Sequence, residues 1–164
     1  MTESTIPFAT TIHVRDSCLC LHTQRAARVL ARRFDTALRP AGLTNEQYSL
    51  LMALNRPVPP QMKEVAALLG ADRTTLTAAF KPLVRQGLVE VQPDAEDARI
   101  RRPALTPLGR ARLAAALPLW TEAHAVLEQE LIETDPAQLR RGLNSLSATP
   151  AAPAPALCDV QEER

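Results

Sequence analysis

The sequence predicts a mainly α-helical chain that carries one small β-hairpin. Three observations point there. Apolar residues recur at spacings of three and four along most of the chain, the period of a helix with one buried face. Helix start and stop signals, polar caps before and glycine or proline after, punctuate those stretches. Short β-type runs are confined to residues 88–91 and 100–105, with a charged turn containing Pro93 between them.

At 164 residues the chain can bury one core. Its 46% apolar and 23% charged residues are ordinary for a globular protein. No apolar run approaches the roughly 20 residues needed to cross a bilayer, so no membrane association is expected. The first eleven residues lack a basic head followed by an apolar stretch, so the expectation is a cytoplasmic protein without a secretion signal. Thiols are normally reduced there, and three cysteines (Cys18, Cys20 and Cys158) do not read as a disulfide framework. The net charge is only +1, but it is unevenly spread. Residues 1–62 carry seven Arg/Lys against four Asp/Glu, residues 63–112 nine against six, and residues 113–164 three against eight. The basic groups are nearly all arginine, whose planar fork pairs bidentately with phosphate oxygens. A positive front and an acidic rear are compatible with a nucleic-acid footprint.

The elements follow in order. Asp16 caps a first helix over residues 17–39, which Pro40 stops, with Ala27, Leu30, Phe34 and Leu38 on one stripe. Thr44, with Gln47 three residues on, forms a capping box that opens a second helix to about Asn55. A proline-rich link, residues 57–60, leads to a third helix over 61–69 that buries Met62, Val65, Ala66 and Leu69. After Gly70, Asp72 caps a fourth helix to about Gln86, with Leu76, Ala79, Phe80 and Leu83 inward. Its opposite face, Thr74, Thr77, Ala78, Lys81 and Arg85, is polar apart from one alanine, and Pro82 should kink it. The hairpin follows. Thr106-Pro107 is a cap followed by proline at the first helical position. It opens a fifth helix to about Glu133, on which Leu113, Leu117, Trp120, His124, Leu127 and Leu131 form a packing seam, with a bend expected at Pro118. Asp135-Pro136 repeats the start signal for a sixth helix with Leu139, Leu143 and Leu146 on its face. The five glycines (Gly42, Gly70, Gly87, Gly109 and Gly142) read as punctuation. Residues 148–164, rich in proline and alanine, read as a disordered tail.

Helix three, the turn at Gly70, helix four and the hairpin form a winged helix-turn-helix. Ala66 lies four residues before Gly70 and Leu76 six after it. That spacing supplies a small residue where two helices nearly touch, a glycine for the positive φ of the turn, and an aliphatic lock for the second helix.

Several stretches resemble the MarR (multiple antibiotic resistance regulator) family of transcriptional regulators. They are Gly42-Leu43-Thr44 with Gln47-Tyr48, Asp72-Arg73-Thr74-Thr75-Leu76-Thr77, Leu83-Val84-Arg85-Gln86-Gly87-Leu88-Val89, the wing Asp94-Ala95-Glu96-Asp97-Ala98-Arg99, and Leu105-Thr106-Pro107-Leu108-Gly109. The resemblance covers about residues 15–147. It implies a MarR-like homodimer held by its first and last helices on a near-palindromic double-stranded DNA operator. Residues 12–56 and 106–147 would then form the dimerisation region and residues 57–105 the DNA-binding lobe. No cofactor and no enzymatic activity are expected. The N-terminal turn of helix four would enter the major groove, where Arg73 reaches phosphate or guanine and Thr74 and Thr75 donate to phosphate or base edges. Thr77, Ala78 and Lys81 lie further along that face, Ala78 able to touch only a thymine methyl. At the wing, Arg99 would sit in or beside the minor groove, oriented by a charge-assisted hydrogen bond that it donates to Asp97. Arg101 and Arg102 would meet phosphates. The plainer reading of each is a solvated charge on a surface hairpin.

For the signal, the sequence leaves three readings of Cys18 and Cys20. Near a helix N-terminus, where thiolates are favoured, they could sense an oxidant or electrophile. Counted back from Thr44, Cys20 falls where organic-hydroperoxide-responsive members of the family carry their sensing cysteine. Those members surround the sulfur with tyrosines, where this chain has Gln24, Phe34 and Asn45. Two cysteines at i and i+2 point about 200° apart if both are helical, so a bond between subunits or to Cys158 is sterically more open. Alternatively Cys20 is a small core residue. In the third reading, His13, Cys18, Cys20 and His22 bind a metal or metalloid, although their spacing matches no standard zinc motif. Family members also bind small aromatic inducers between lobe and dimerisation helices. The competing functions are a winged helix that binds only proteins, and a thiol peroxidase using Cys20, for which no acid–base partner is in view.

Overall fold

The computed structural model describes residues 5–148 except Ala95 and Ala98. The expected tail beyond Ala148, and Cys158 with it, lie outside the described residues. Among the described residues seven helices and one hairpin follow in the order α1 (Phe8–Ser17), α2 (Leu19–Leu38), a 3-10 turn (Arg39–Ala41), α3 (Asn45–Leu54), α4 (Met62–Leu69), α5 (Arg73–Arg85), β1 (Val89–Pro93), β2 (Arg101–Leu105), α6 (Pro107–Glu130) and α7 (Pro136–Ala148). The chain divides into two compact units that meet in sequence between Leu127 and Glu128.

Most local signals act as read. Thr44 accepts the Gln47 backbone N–H at 3.2 Å while the Gln47 side chain takes the Thr44 N–H at 3.1 Å, the full capping box. Gly70 closes α4 at φ +62°, and the N–H of Ala71 returns to the Ala66 carbonyl at 3.0 Å. Asp72 caps α5, accepting the Thr75 N–H at 2.8 Å. α5 runs on as one helix past Pro82, and α6 past Pro118, so neither proline ends its helix. A proline removes one N–H, and the neighbouring turns still hold each helix in place.

The N-terminal boundary is different. A separate ten-residue helix, α1, precedes the expected one, and Cys18 is the break between them, extended at φ −75° and ψ 104°. Cys18 is the N-cap of α2; its Sγ accepts the Leu21 N–H at 3.4 Å. Asp16 does not cap; its carboxylate pairs with Arg15 at 2.6 Å. α1 buries no side chain, so no apolar periodicity announces it in the sequence.

The core of the first unit gathers Phe34 and Leu38 of α2, Tyr48, Leu51 and Leu54 of α3, Val65 of α4, Leu76, Phe80 and Leu83 of α5, and Leu113 and Ala116 of α6. Around Trp120, the Tyr48 ring stacks at 6.0 Å and His124 at 4.7 Å, so both seam residues serve packing. Burial raises the Tyr48 phenol above its ordinary value. On α2 the buried stripe is shorter than expected. Phe34 and Leu38 are covered, whereas Ala27 and Leu30 lie at the surface of the chain. Leu69 is only partly covered, leaving Val65 as the fully buried anchor of α4.

Gly109 is not punctuation. It lies inside α6, where a Cβ would come within 2.0 Å of the Leu88 carbonyl oxygen, so only glycine lets the helix close on the root of the hairpin. The same carbonyl accepts the Thr106 N–H at 3.1 Å. In the second unit Asp135 caps α7 through the Ala137 N–H at 2.9 Å, and Arg140 pairs with Glu128 at 2.6 Å. α7 buries no residue of its own, and Leu139, Leu143 and Leu146 stay exposed on one stripe.

Candidate nucleic-acid interface

The outer face of α5 and the hairpin share a concave surface. β1 and β2 pair antiparallel from Val89 opposite Leu105 to Pro93 opposite Arg101. The strand root is buried at Leu88 and Val89, so the hairpin stands on the core and projects its turn into solvent. Between α5 and the hairpin runs a groove of about 500 Å³ with Arg73, Thr77, Lys81, Arg85 and Arg101 around a floor that includes Phe80. A second groove of about 410 Å³ lies between α4 and the hairpin, with Lys63, Arg73, Arg99 and Arg101 on its walls. Arg73 and Arg101 line both. Four cations from α5 and the hairpin thus face one cleft, interleaved with the apolar side chains of Met62, Val84 and Val91. A phosphate backbone would find bidentate donors on both walls.

The structure brings Arg73, Thr77, Lys81, Arg99 and Arg101 together. Thr74 and Ala78 are exposed on α5, outside the two groove walls. Thr75 is turned away. Its hydroxyl donates to Asp72 Oδ2 at 2.7 Å, so it is a cap residue whose proton is already committed, contrary to the donor role expected from the sequence. The Thr77 hydroxyl likewise donates to the Arg73 carbonyl at 2.7 Å, leaving it to accept. The Asp72 carboxyl is held below its ordinary value by the backbone N–H and then the hydroxyl of Thr75.

The hairpin turn is built on two aspartates. Asp94 Oδ1 accepts the backbone N–H of Glu96 at 2.8 Å and of Asp97 at 3.2 Å. Asp97 Oδ1 accepts the backbone N–H of Arg99 at 2.9 Å. The contact from Asp97 thus fixes the Arg99 backbone, where the sequence had suggested a bond to the guanidinium. Arg102 is a clearer correction. Expected at phosphate, it is paired with Asp94 Oδ2 through Nε, and donates to the Pro59 carbonyl at 2.7 Å. Lys63 and Arg85 escaped the sequence reading as site residues. Lys63 lies one residue into α4 and Arg85 one turn beyond Lys81, so the faces of both helices could have flagged them.

Cys18 and Cys20 lie at the start of α2, Cys18 partly covered and Cys20 exposed. The Gln24 amide donates to Cys20 Sγ at 3.2 Å. Within the single chain Cys20 is not part of the core. Among the described residues no group of three or more His, Cys, Asp or Glu is placed to hold a metal ion, so His13, Cys18, Cys20 and His22 are not assembled into one ligand set. Among them too, no helix is long and apolar enough to cross a membrane.

Comparison with known proteins places these features. A family model described as "MarR family" matches residues 41–100. The transcriptional activatory protein BadR of Rhodopseudomonas palustris is 33% identical over 89 residues, 52% of this chain and 51% of BadR. The chain spans about half the length of the curated relatives it matches. Among solved structures, the M. tuberculosis transcriptional regulator MosR in complex with DNA is 42% identical, with a TM-score of 0.73 over 80% of this chain and 94% of that one. A probable transcriptional regulator from Pseudomonas aeruginosa is 26% identical, with a TM-score of 0.71 over 80% of this chain and 98% of its own.

Proposed function

The chain belongs to the MarR family, and from that premise we propose that it is a homodimeric transcriptional regulator that binds a near-palindromic double-stranded DNA operator. The observation that carries this reading is the shared cleft. Arg73 from the first turn of α5 and Arg99 and Arg101 from the wing line grooves with common walls. α5 would lie in the major groove and the wing beside the adjacent minor groove, with cations meeting the phosphates between them. Residues 57–105 form the lobe that meets the duplex. Residues 12–56 and 106–147 each carry exposed apolar side chains that a second copy would cover, Leu19, Leu21 and Val29 on α2 and, separately, Leu139, Leu143 and Leu146 on α7. The family is one of regulators and not an enzyme class, and the role assigned here is recognition without catalysis.

The test is direct. Arg99→Ala should weaken operator binding by about 1–3 kcal/mol while the thermal melt stays put. Unchanged affinity in a fluorescence-anisotropy titration would refute the wing assignment.

The signal assigned to this regulator is an oxidant, read by Cys18 and Cys20. The geometric objection to their pairing required both to be helical, and Cys18 is extended. An organic hydroperoxide would take two protons and two electrons from the thiols, leaving a disulfide, an alcohol and water. The Cys18 sulfur that caps the Leu21 N–H would be drawn out of its place at the start of α2. Hydroperoxide should release wild-type protein from DNA and leave Cys20→Ser bound. If the wild type holds its duplex under oxidant, the sensor role fails.

A further inference from the structure

We propose that Asp94, Arg102 and the Pro59 carbonyl form a tether that holds the wing at its working pitch, so that Asp94 and Arg102 are positioning residues that set where Arg99 and Arg101 meet DNA without touching it themselves. The inference rests on the DNA-binding reading above. It absorbs a feature that the reading leaves unused, the proline-rich link.

Each contact of the tether is directional. Asp94 Oδ1 takes two backbone N–H groups of the turn, while Oδ2 holds the Arg102 guanidinium on the returning strand. Arg102 reaches past the hairpin and donates to Pro59, 43 positions earlier in the chain. The pair is partly covered, the Asp94 side chain 7% exposed and that of Arg102 24%. A charge-assisted hydrogen bond so placed holds its geometry better than a fully exposed one. The anchor is stiff. Residues 57, 59 and 60 are all proline, with φ locked in each and Pro60 buried. A two-stranded ribbon has no sheet of its own to fix its tilt, and is marginal alone. The tether supplies that fixation from outside the ribbon, at the end where the turn begins. Glu96 and Arg102 hold the Asp94 carboxyl below its ordinary value, the backbone N–H of Glu96 contributing most. Because the link joins α3 to α4, a shift of α3 would pull on the wing through Pro59.

The experiment uses the full chain, an operator duplex, three tether variants and a wing-arginine background. Asp94→Asn keeps the amide oxygen for the turn and removes one negative charge near DNA. Simple electrostatics therefore predicts tighter binding, whereas the tether predicts binding about tenfold weaker, toward the lower end of losing a wing arginine outright. Equal or tighter binding overturns the proposal. Arg102→Lys preserves the charge but cannot span Asp94 and Pro59 together, so it should fall as far as Arg102→Gln; wild-type affinity in the lysine variant overturns it. In an Arg99→Ala/Arg101→Ala background, Arg102→Gln should cost nothing further. A repeat of its full effect there would mean that Arg102 grips phosphate itself. Hydrogen exchange at the Glu96 and Asp97 amides, measured without DNA, reads the tether independently. Arg102→Gln leaves the Asp94 acceptor in place, so faster exchange in that variant supports the tether and unchanged exchange there overturns it. Should the wild type bind no duplex at all, the DNA-binding reading fails while the exchange arm still decides the tether.

Discussion

Replacing Gly109 with alanine sets two physical effects of opposite sign against each other. Helix propensity favours alanine in a helix interior by about 1 kcal/mol. The structure opposes it: the new methyl would stand 2.0 Å from the Leu88 carbonyl oxygen, 3.0 Å from its carbon and 3.4 Å from Leu105 Cδ2. The first of these must open by more than ~1 Å to reach ordinary van der Waals separation, and overpacking of this kind costs about 1–3 kcal/mol. The obstacle is backbone, so no side-chain rotation relieves it. Moving that carbonyl also strains its bonds from the Thr106 N–H at 3.1 Å and the Thr106 hydroxyl at 3.3 Å, worth about 0.5–1.5 kcal/mol each when lost. Clash and strain together exceed the propensity gain, leaving a net destabilisation of about 1–3 kcal/mol. For a chain of this length that lowers the melting temperature by roughly 2–12 °C. Circular-dichroism melts at fixed protein concentration measure it. A variant that melts at or above the wild-type temperature would show that α6 does not close on the wing root as described.

Two further outcomes follow from exposed and titrating groups. The carboxyls of Asp72 and Asp94 are held below their ordinary 3.8, so the folded state favours their charged forms. That contribution is complete above the ordinary value and is lost as pH falls through the depressed ones. Melting temperature should therefore drop on acidification below about pH 4, and more shallowly in Asp72→Asn/Asp94→Asn; parallel curves would contradict the assignment. Leu143→Asp puts a charge on the exposed stripe of α7, and sedimentation velocity should then find single 17.9 kDa chains in place of pairs. A variant that still sediments as a dimer would remove α7 from the interface.

What the sequence disclosed and what it hid divide along the range of the interactions. Thr44 with Gln47, Asp72 after Gly70, and Thr106 before Pro107 carry their meaning within four residues, and the structure places a cap at each. Core positions on α5 were legible because period and burial coincide at Leu76, Phe80 and Leu83. Arg102 was not, because its partner Pro59 is distant in sequence, and an arginine on a basic hairpin looks the same whether it faces phosphate or a carbonyl. Arg112 is a second case, donating to the Ala41 carbonyl at 3.0 Å across 71 positions. Thr75 differs from its sequence expectation for a local reason: a threonine three residues after a capping aspartate satisfies the cap with backbone and hydroxyl together. Helix α1 has no buried face to leave a trace in the sequence.

The claim that α5 and the wing grip neighbouring grooves of one duplex, twice over, can be tested by selection from a random duplex library with the wild-type chain, followed by anisotropy on the enriched sequence at two salt concentrations. The account predicts enrichment of a near-palindrome whose half-site centres lie about one helical turn apart, saturating at two chains per duplex with affinity that falls steeply with salt. A library that emerges without symmetry or preference would contradict it.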